Sequence, residues 1–188
     1  MKQQGILAVV SGFSRAGKGT LMKALLEKYD NYALSISATT RKPREGEVHG
    51  REYFFLSKEE FAKRIEEGDF LEYDEHFGNY YGTPKSFVKE TLKTKSVIME
   101  IDVVGGFLAK KEFPECILIF VAPPSVDELK RRLIGRNTES EEQIEKRLSR
   151  LDYEMKESEK YDYVLINDGF EDALKEFSDL IDKEKNKV

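Results

Sequence analysis

Nine consecutive residues near the start of the chain have the types and spacing of a phosphate-binding loop: Gly12, Phe13, Ser14, Arg15, Ala16, Gly17, Lys18, Gly19 and Thr20. They follow a short apolar run and open a stretch with helical spacing. Glycines allow a tight turn in which backbone N–H groups converge, and the helix N-terminus adds partial positive charge. Lys18 adds a full cation for the outer phosphates. The pattern predicts a triphosphate site; the alternative is a glycine turn before an ordinary helix.

Thr20 and Asp102 are candidate positions for binding magnesium beside that loop. Such loops normally carry Ser or Thr after the lysine, where the hydroxyl meets magnesium, but this chain has Gly19. Thr20 or a water molecule would then take that position. The apolar run 97–101 ends in Asp102, as does a Walker B strand, which positions magnesium, often through water. A solvent-facing strand end is the alternative for Asp102.

A second set of residues suits a smaller anion. Arg41 and Arg44 lie three apart, and Tyr53 and Tyr81 supply hydroxyl donors. Two guanidinium groups and two phenols match a phosphate monoester, which carries close to two negative charges. The alternative is a solvated basic loop, because Arg41 to Arg44 reads as surface.

One carboxylate has the chemistry to distinguish purines. Glu72 lies between Leu71 and Tyr73, in a strand pattern that predicts an inward side chain. A carboxylate accepts two hydrogen bonds, and guanine presents two adjacent donors, whereas adenine presents an acceptor at N1 and would leave the carboxylate unpaired. The alternative is an exposed strand glutamate.

The elements that must position these residues alternate along the chain. Apolar runs at 6–11, 96–101, 116–122 and 163–166 are separated by helical patterns, which predicts an α/β fold with a parallel sheet covered on both faces. Capping boxes are predicted at Ser57, Ser125 and Ser140, and a last helix over 170–183. Thr83 and Pro84 are predicted as an N-cap and a first helical residue.

Two segments interrupt the alternation. The segment 37–81 predicts an inserted, mostly antiparallel lobe with strands at 53–56 and 70–73 and a hairpin turn at Gly78-Asn79. The segment 125–160 is charged and helical, with arginines at 131, 132, 136, 147 and 150. We therefore divide a single domain of 188 residues into a core (1–36, 82–124 and 161–188), a monophosphate-binding lobe (37–81) and a lid (125–160).

Composition excludes several classes of function. The net charge of −5 argues against a general nucleic-acid binder, so anions must be bound by local basic pockets. The single cysteine, Cys116, lies in an apolar run and is predicted to be a buried strand residue rather than a nucleophile. No apolar stretch reaches the length of a membrane span and no secretion signal is recognised, so a cytoplasmic location is expected.

Several stretches together resemble the guanylate kinase family. They are Ser37 to Glu47, Gly78 to Thr83, Glu100 to Asp102, Ala122 to Ser125, Gly135 to Glu139 and Ile166 to Asp168. The resemblance extends from about Gly5 to Leu180, and the TTR-x-PR-x-GE and GNYYGT stretches are its most specific parts. It implies a P-loop NTPase-type sheet with an inserted mixed β/α lobe and a helical lid. It also implies transfer of the γ-phosphoryl group of ATP to GMP, and to dGMP, with magnesium and with no protein, membrane or nucleic-acid partner.

The resemblance also implies a role for each matching residue. Ser37, Glu72, Thr83 and Glu100 would line a guanine pocket, and Arg41, Arg44, Tyr53 and Tyr81 would hold the GMP phosphate. Asn167 would approach adenine, while Phe13 and Arg15 replace a usual proline and glycine. The groups implied to act on the transferring phosphoryl group are Lys18, Arg41, Arg132, Arg136 and Arg147. Two alternatives stay open: a binding module without catalysis, and a kinase for another nucleoside monophosphate.

Overall fold

A computed structural model of the chain describes residues 5–13, 16–127, 129–130 and 140–187. Its elements, in chain order, are β1 (Leu7–Gly12), α1 (Lys18–Lys28), β2 (Tyr32–Leu34), β3 (Ala38–Thr39), β4 (Phe54–Phe55), α2 (Lys58–Glu66), β5 (Phe70–His76), β6 (Asn79–Pro84), α3 (Lys85–Thr91), β7 (Ser96–Glu100), α4 (Val103–Glu112), β8 (Ile117–Ala122), α5 (Glu141–Ser158), β9 (Tyr163–Ile166) and α6 (Phe170–Lys185).

The larger sheet has five parallel strands in the order β2-β7-β1-β8-β9. Every residue of β8 is buried, so both faces of the sheet are covered, as the continuous apolar runs predict. The fold class is confirmed. The short edge strand β2 was not predicted, because only Tyr32 of its three residues is buried and the segment has no apolar run.

The smaller sheet has four strands in the order β4-β3-β6-β5. Strand β3 pairs parallel with β4, while the β3–β6 and β5–β6 pairs are antiparallel, so the lobe is mostly antiparallel as expected. A separate small core forms around Phe61, whose ring stacks on Phe70 at 4.4 Å. Strand β6 continues to Pro84 and therefore crosses the predicted lobe boundary at residue 81.

The hairpin between β5 and β6 corrects one prediction. His76 pairs with Asn79, so the two turn residues are Phe77 and Gly78, one position earlier than Gly78-Asn79. Both have positive φ, 51° and 75°, as a type I′ turn requires. The sequence pattern misplaced the turn because phenylalanine is an unusual residue at a left-handed position.

The helix starts are mostly as predicted. Ser57 and Ser140 form capping boxes, and Gly68 follows α2 with φ of 68°. The Ser125 capping box involves Glu128, which lies outside the described residues. The assignment of Thr83 and Pro84 was wrong: Pro84 itself is the N-cap of α3, because strand β6 still includes Thr83.

Two further sequence predictions concern burial. Cys116 is fully buried, and burial raises the pKa of its thiol to about 12, which keeps it protonated and unreactive. The predicted last helix is present as α6, with Leu174, Phe177 and Ile181 in the core and Phe170 at its start exposed. Within the described ranges no helix is both long and apolar enough to cross a membrane.

Candidate active site

The glycine-rich loop joins the central strand β1 to helix α1, which is the strand–turn–helix arrangement predicted for it. A Cβ at Gly12 would lie 2.1 Å from the carbonyl oxygen of Val121, so no side chain fits there. Gly17 precedes α1 with φ of 85°, a conformation that glycine adopts without strain. Ser14 and Arg15 lie outside the described residues, so the consequence of Arg15 stays open.

Lys18, the first residue of α1, reaches back across this loop. Its ammonium group donates hydrogen bonds to the carbonyl oxygens of Gly12 (2.8 Å) and Phe13 (2.9 Å). Burial lowers its pKa, while the nearby carboxylates Glu100 and Glu154 oppose that shift. The lysine is therefore a partly desolvated cation at the opening of the loop, where a bound anion would be attracted strongly.

The remaining loop residues divide between packing and backbone roles. The side chain of Phe13 is buried and meets Phe120 edge-on at 5.0 Å, so only its backbone faces the loop. Asn167 donates its side-chain amide to the carbonyl oxygen of Ala16 (2.8 Å) and thereby fastens the loop to the end of β9. This contact was not foreseen, because it joins residues 151 positions apart.

The first turn of α1 lacks the side-chain hydroxyl that normally follows the lysine and binds magnesium. A Cβ at Gly19 would meet no atom within 4 Å, so a larger residue is sterically allowed there. The position has no hydroxyl because the sequence has glycine there, although the structure leaves room for a serine or threonine. Thr20 is exposed on the same turn.

A cavity of about 660 Å³ opens beside the loop, at the carboxyl ends of β1 and β7. That edge of a parallel sheet is where α/β proteins bind ligands. The cavity walls come from two parts of the chain that lie far apart in sequence. The core contributes Gly12, Lys18, Glu100, Ile101, Asp102 and Val103. The charged helical segment contributes Leu129, Arg147, Arg150, Leu151 and Glu154. Arg147 therefore lines the same cavity as Lys18, while Arg132 and Arg136 lie outside the described residues.

The acidic end of β7 offers oxygen ligands on the cavity wall. Asp102 caps α4 by accepting a hydrogen bond from the Gly105 N–H (2.9 Å), and Glu100 is exposed beside it. Among the described residues no three His, Cys, Asp or Glu side chains form a ready-made metal cluster. Two carboxylates suit magnesium, which usually binds through one or two of them together with phosphates and water.

The lobe brings Arg41, Tyr53 and Tyr81 together. The Arg41 guanidinium lies 5.5 Å from the centre of the Tyr53 ring, and the two tyrosine rings are 6.1 Å apart. Arg44, in contrast, is exposed, and its backbone N–H rather than its side chain bonds within the lobe. The predicted phosphate-binding set is therefore assembled around Arg41, with Arg44 at its margin.

Glu47 organises this set and had been noted only as part of a motif. Its carboxylate accepts two hydrogen bonds from Arg41, at 2.9 and 3.0 Å, and one from the backbone N–H of Arg44 at 2.7 Å. These bonds lower the pKa of Glu47. A six-residue separation in a loop follows no helix or strand period, so the sequence carried no signal for this pairing.

Glu72 and Thr83 meet across β5 and β6. The Thr83 hydroxyl donates to one Glu72 oxygen at 2.7 Å. Burial raises the pKa of Glu72, and the charges of Asp102 and Asp74 raise it further. Strand β5, which carries Glu72, packs against α4, the helix that Asp102 caps. Ser37 lies at the start of β3 and accepts a backbone bond from Phe54, while Glu100 lines the Lys18 cavity.

These features identify the class of protein to which the chain belongs. A parallel sheet with β1 at its centre, followed by a glycine loop, a lysine and a helix, is the architecture of P-loop α/β proteins. A family model described as guanylate kinase matches residues 4–184. The chain belongs to the guanylate kinase family.

Individual relatives agree along nearly the whole chain. A guanylate kinase of Clostridioides difficile is 50% identical over 187 residues, covering 99% of this chain and 91% of its own. One of Caldanaerobacter subterraneus is 49% identical, covering 100% and 92%. The crystal structure of guanylate kinase from Anaplasma phagocytophilum superposes with a TM-score of 0.69 at 32% identity, covering 98% of this chain and 88% of that one.

Proposed function

We propose that this protein transfers the γ-phosphoryl group of ATP to GMP, giving ADP and GDP. The observation that carries the proposal is that the glycine-rich loop and the lobe that carries Glu72 flank one acidic strand end, that of β7. Lys18 lines one cavity with Glu100 and Asp102, and helix α4, which Asp102 caps, packs against β5, the strand that carries Glu72. Membership of the guanylate kinase family supports the same reaction.

Glu72 would select guanine. One of its oxygens accepts the Thr83 hydroxyl, and the carboxylate keeps further lone pairs for the two donors of guanine. Adenine offers no donor at N1, so it would leave a half-buried carboxylate unpaired. Mismatches of this kind discriminate by about 10⁴-fold where the site is built to hydrogen-bond its substrate. Ser37 and Glu100 would complete this pocket, and dGMP, which carries the same base, would be accepted as well.

Arg41, Arg44, Tyr53 and Tyr81 would hold the phosphate of GMP. The guanidinium of Arg41 is already oriented by Glu47, so little side-chain freedom is lost when a phosphate binds. The adenine of ATP would lie near Asn167, whose contact with Ala16 places it beside the loop.

The chemistry needs alignment and charge stabilisation and no general base, because an oxygen of the GMP phosphate is already anionic. Lys18 and Arg147, with Arg132 and Arg136, would stabilise the charge on the group in transit. Magnesium, held by Asp102 with Thr20 or water, would supply further neutralisation of the ATP phosphates. Closure of the lid (125–160) over the core and lobe would exclude competing water. ATP and GMP are then the only partners required, which is consistent with a cytoplasmic enzyme.

The test is an ADP-release assay with ATP and, in turn, GMP, dGMP, AMP, CMP and UMP. We expect turnover with GMP and dGMP and little with the others. Preference for AMP would overturn the role of Glu72, and release with none of them would favour a binding module.

Two variants assign the sites. Lys18→Ala should keep the fold and lose most turnover, because the outer phosphates lose their cation. Glu72→Ala should weaken GMP far more than ATP. Equal weakening of both nucleotides would refute base recognition by Glu72, and near-normal turnover of Lys18→Ala would refute the loop's role.

A further inference from the structure

Arg150 occupies the cavity wall opposite the P-loop and has no role in the function described so far. Arg147, Arg150, Leu151 and Glu154 share one face of α5, at the helical spacings of three and four residues, and all line the cavity with Lys18. Leu151 and Glu154 are buried, at 5% and 9% exposure. This part of α5 is therefore anchored on the core, and Arg150 sits one residue from that anchor.

Glu154 fixes the direction of Arg150. The Glu154 carboxylate accepts a hydrogen bond from Nε of Arg150 at 3.0 Å, and its side chain is only 11% exposed, against 68% for the arginine. A guanidinium has five N–H donors, and this bond uses only the one on Nε. Because the Glu154 carboxylate is buried and cannot easily reorient, it holds the two terminal nitrogens of Arg150 at the cavity surface.

The charges on the cavity wall indicate what Arg150 faces. Lys18, Arg147 and Arg150 oppose Glu100, Asp102 and Glu154. Lys18 and Arg150 lie near enough that the arginine disfavours the charged lysine, so the two cations repel each other unless an anion lies between them. A triphosphate held by the loop beside Lys18 would supply that anion.

We propose that Arg150 is a catalytic residue that contacts the phosphates of ATP bound at the P-loop, and that Glu154 is its positioning residue. The inference rests on the proposed function for the identity of the ligand. Because the anchored half of α5 carries Arg150, it acts when ATP binds alone, before any closure around GMP.

The alternative role to be separated from this one is that Arg150 serves only to neutralise Glu154, whose bare carboxylate would repel a triphosphate. The variants Arg150→Ala, Glu154→Gln and the double variant distinguish the two roles. If neutralisation were the whole role, the double variant would bind ATP as well as the wild type. If Arg150 contacts phosphate, the double variant stays weak.

The measurement is calorimetric binding of ATP, ADP and GMP to the full chain, with kcat and unfolding midpoints alongside. For Arg150→Ala we expect about tenfold weaker ATP binding, the loss typical of one charged hydrogen bond, a smaller loss for ADP and none for GMP. Arg150→Lys should recover part of the affinity. Glu154→Gln should lose less than Arg150→Ala, because the arginine remains but is less firmly directed.

Lys156→Ala is the matched control, because Lys156 is an exposed cation on the same helix that does not line the cavity. It should leave all three affinities unchanged. Restoration of ATP binding in the double variant, or equal loss of ATP and GMP affinity in Arg150→Ala, would overturn the inference. Failure of the wild type to phosphorylate GMP would instead overturn the proposed function, and the ATP-binding comparison would still decide the role of Arg150.

Discussion

At the scale of single residues, three side chains proposed to bind a nucleotide are each held by a second group of the protein. Thr83 holds Glu72, Glu47 holds Arg41, and loop carbonyls hold Lys18. Such pairing fixes rotamers before a ligand arrives, which lowers the entropy lost on binding. It also leaves charges partly buried, so function and stability compete at these positions.

Glu72→Gln should show that competition directly. The folded-state pKa of Glu72 is raised, so the ionised form is disfavoured by folding. At a pH below the unfolded-state pKa, Glu72 is protonated in both the folded and the unfolded protein, so it costs no stability. As the pH rises from there through the folded-state pKa, the wild-type protein loses stability, because the unfolded chain releases the proton more readily. Glutamine cannot ionise, so the variant should match the wild type in acid and be more stable at neutral pH.

The same variant should bind GMP roughly 10- to 100-fold more weakly, because one acceptor for guanine is replaced by a donor. Urea unfolding across the acid-to-neutral range and GMP titration measure the two effects. Glu75→Gln, which makes the same change at an exposed position of the same strand, is the control for binding. A glutamine variant that is no more stable at pH 7 than at acid pH, relative to the wild type, would contradict the argument.

Glu47→Gln should raise KM for GMP about tenfold and leave KM for ATP unchanged, because it removes one charge-assisted pairing that directs Arg41. Initial rates with each nucleotide varied in turn measure this. Glu45→Gln, at an exposed position two residues earlier, should behave as the wild type. If both KM values rose together, or neither changed, Glu47 would have no specific role in orienting Arg41.

At the scale of elements, the hairpin between β5 and β6 delivers Glu72 and Thr83 to each other, and its turn carries local strain. Phe77 has φ of 51° and its side chain is fully exposed, so the ring contributes no packing to offset the left-handed backbone. The cost of that conformation for a residue with a Cβ is about 1–2 kcal/mol.

Phe77→Asn should therefore raise the free energy of unfolding by about 1 kcal/mol, since Asn-Gly is the preferred type I′ pair. Kinetic constants should not change, because the turn lies at the far end of both strands from Pro84. Phe77→Ala removes the ring but keeps the strain, so it serves as the control. Equal stability of the Asn and Ala variants would show that the turn is not strained.

At the scale of the whole molecule, two sheets each contribute one recognition set, and α4 and β5 pack against each other between them. The acidic end of β7 lies at the start of α4 and lines the same cavity as Lys18. The proposed reaction requires that the two nucleotides meet end to end across this junction.

A ligand that joins adenosine to guanosine through a chain of five phosphates tests this geometry. It should bind at least 100-fold more tightly than ATP, because the second contact becomes intramolecular. Titration calorimetry measures the affinity, and the corresponding diadenosine compound is the control, since it lacks the donors that Glu72 would accept. Affinity no better than that of ATP would mean that the two sites do not share an axis.

The sequence by itself determined the elements with strong local signals. The β1–loop–α1 unit, the buried strands and the capping boxes at Ser57 and Ser140 follow from residue types a few positions apart, where short-range sterics and hydrogen bonds dominate. Glu72 was placed inward by strand alternation alone. The roles of the site residues remain predictions.

Only the tertiary structure decided which distant residues meet. Asn167 bonds to Ala16, α4 packs against the strand that carries Glu72, and Arg150 lines the same cavity as Lys18. These segments lie far apart in the chain, and no local period in the sequence indicates that they meet. The same reason explains the turn at Phe77 and the pairing of Thr83. The register of the sheet places the turn at Phe77-Gly78 rather than at Gly78-Asn79. Thr83 bonds to the carboxylate of Glu72 rather than capping a helix.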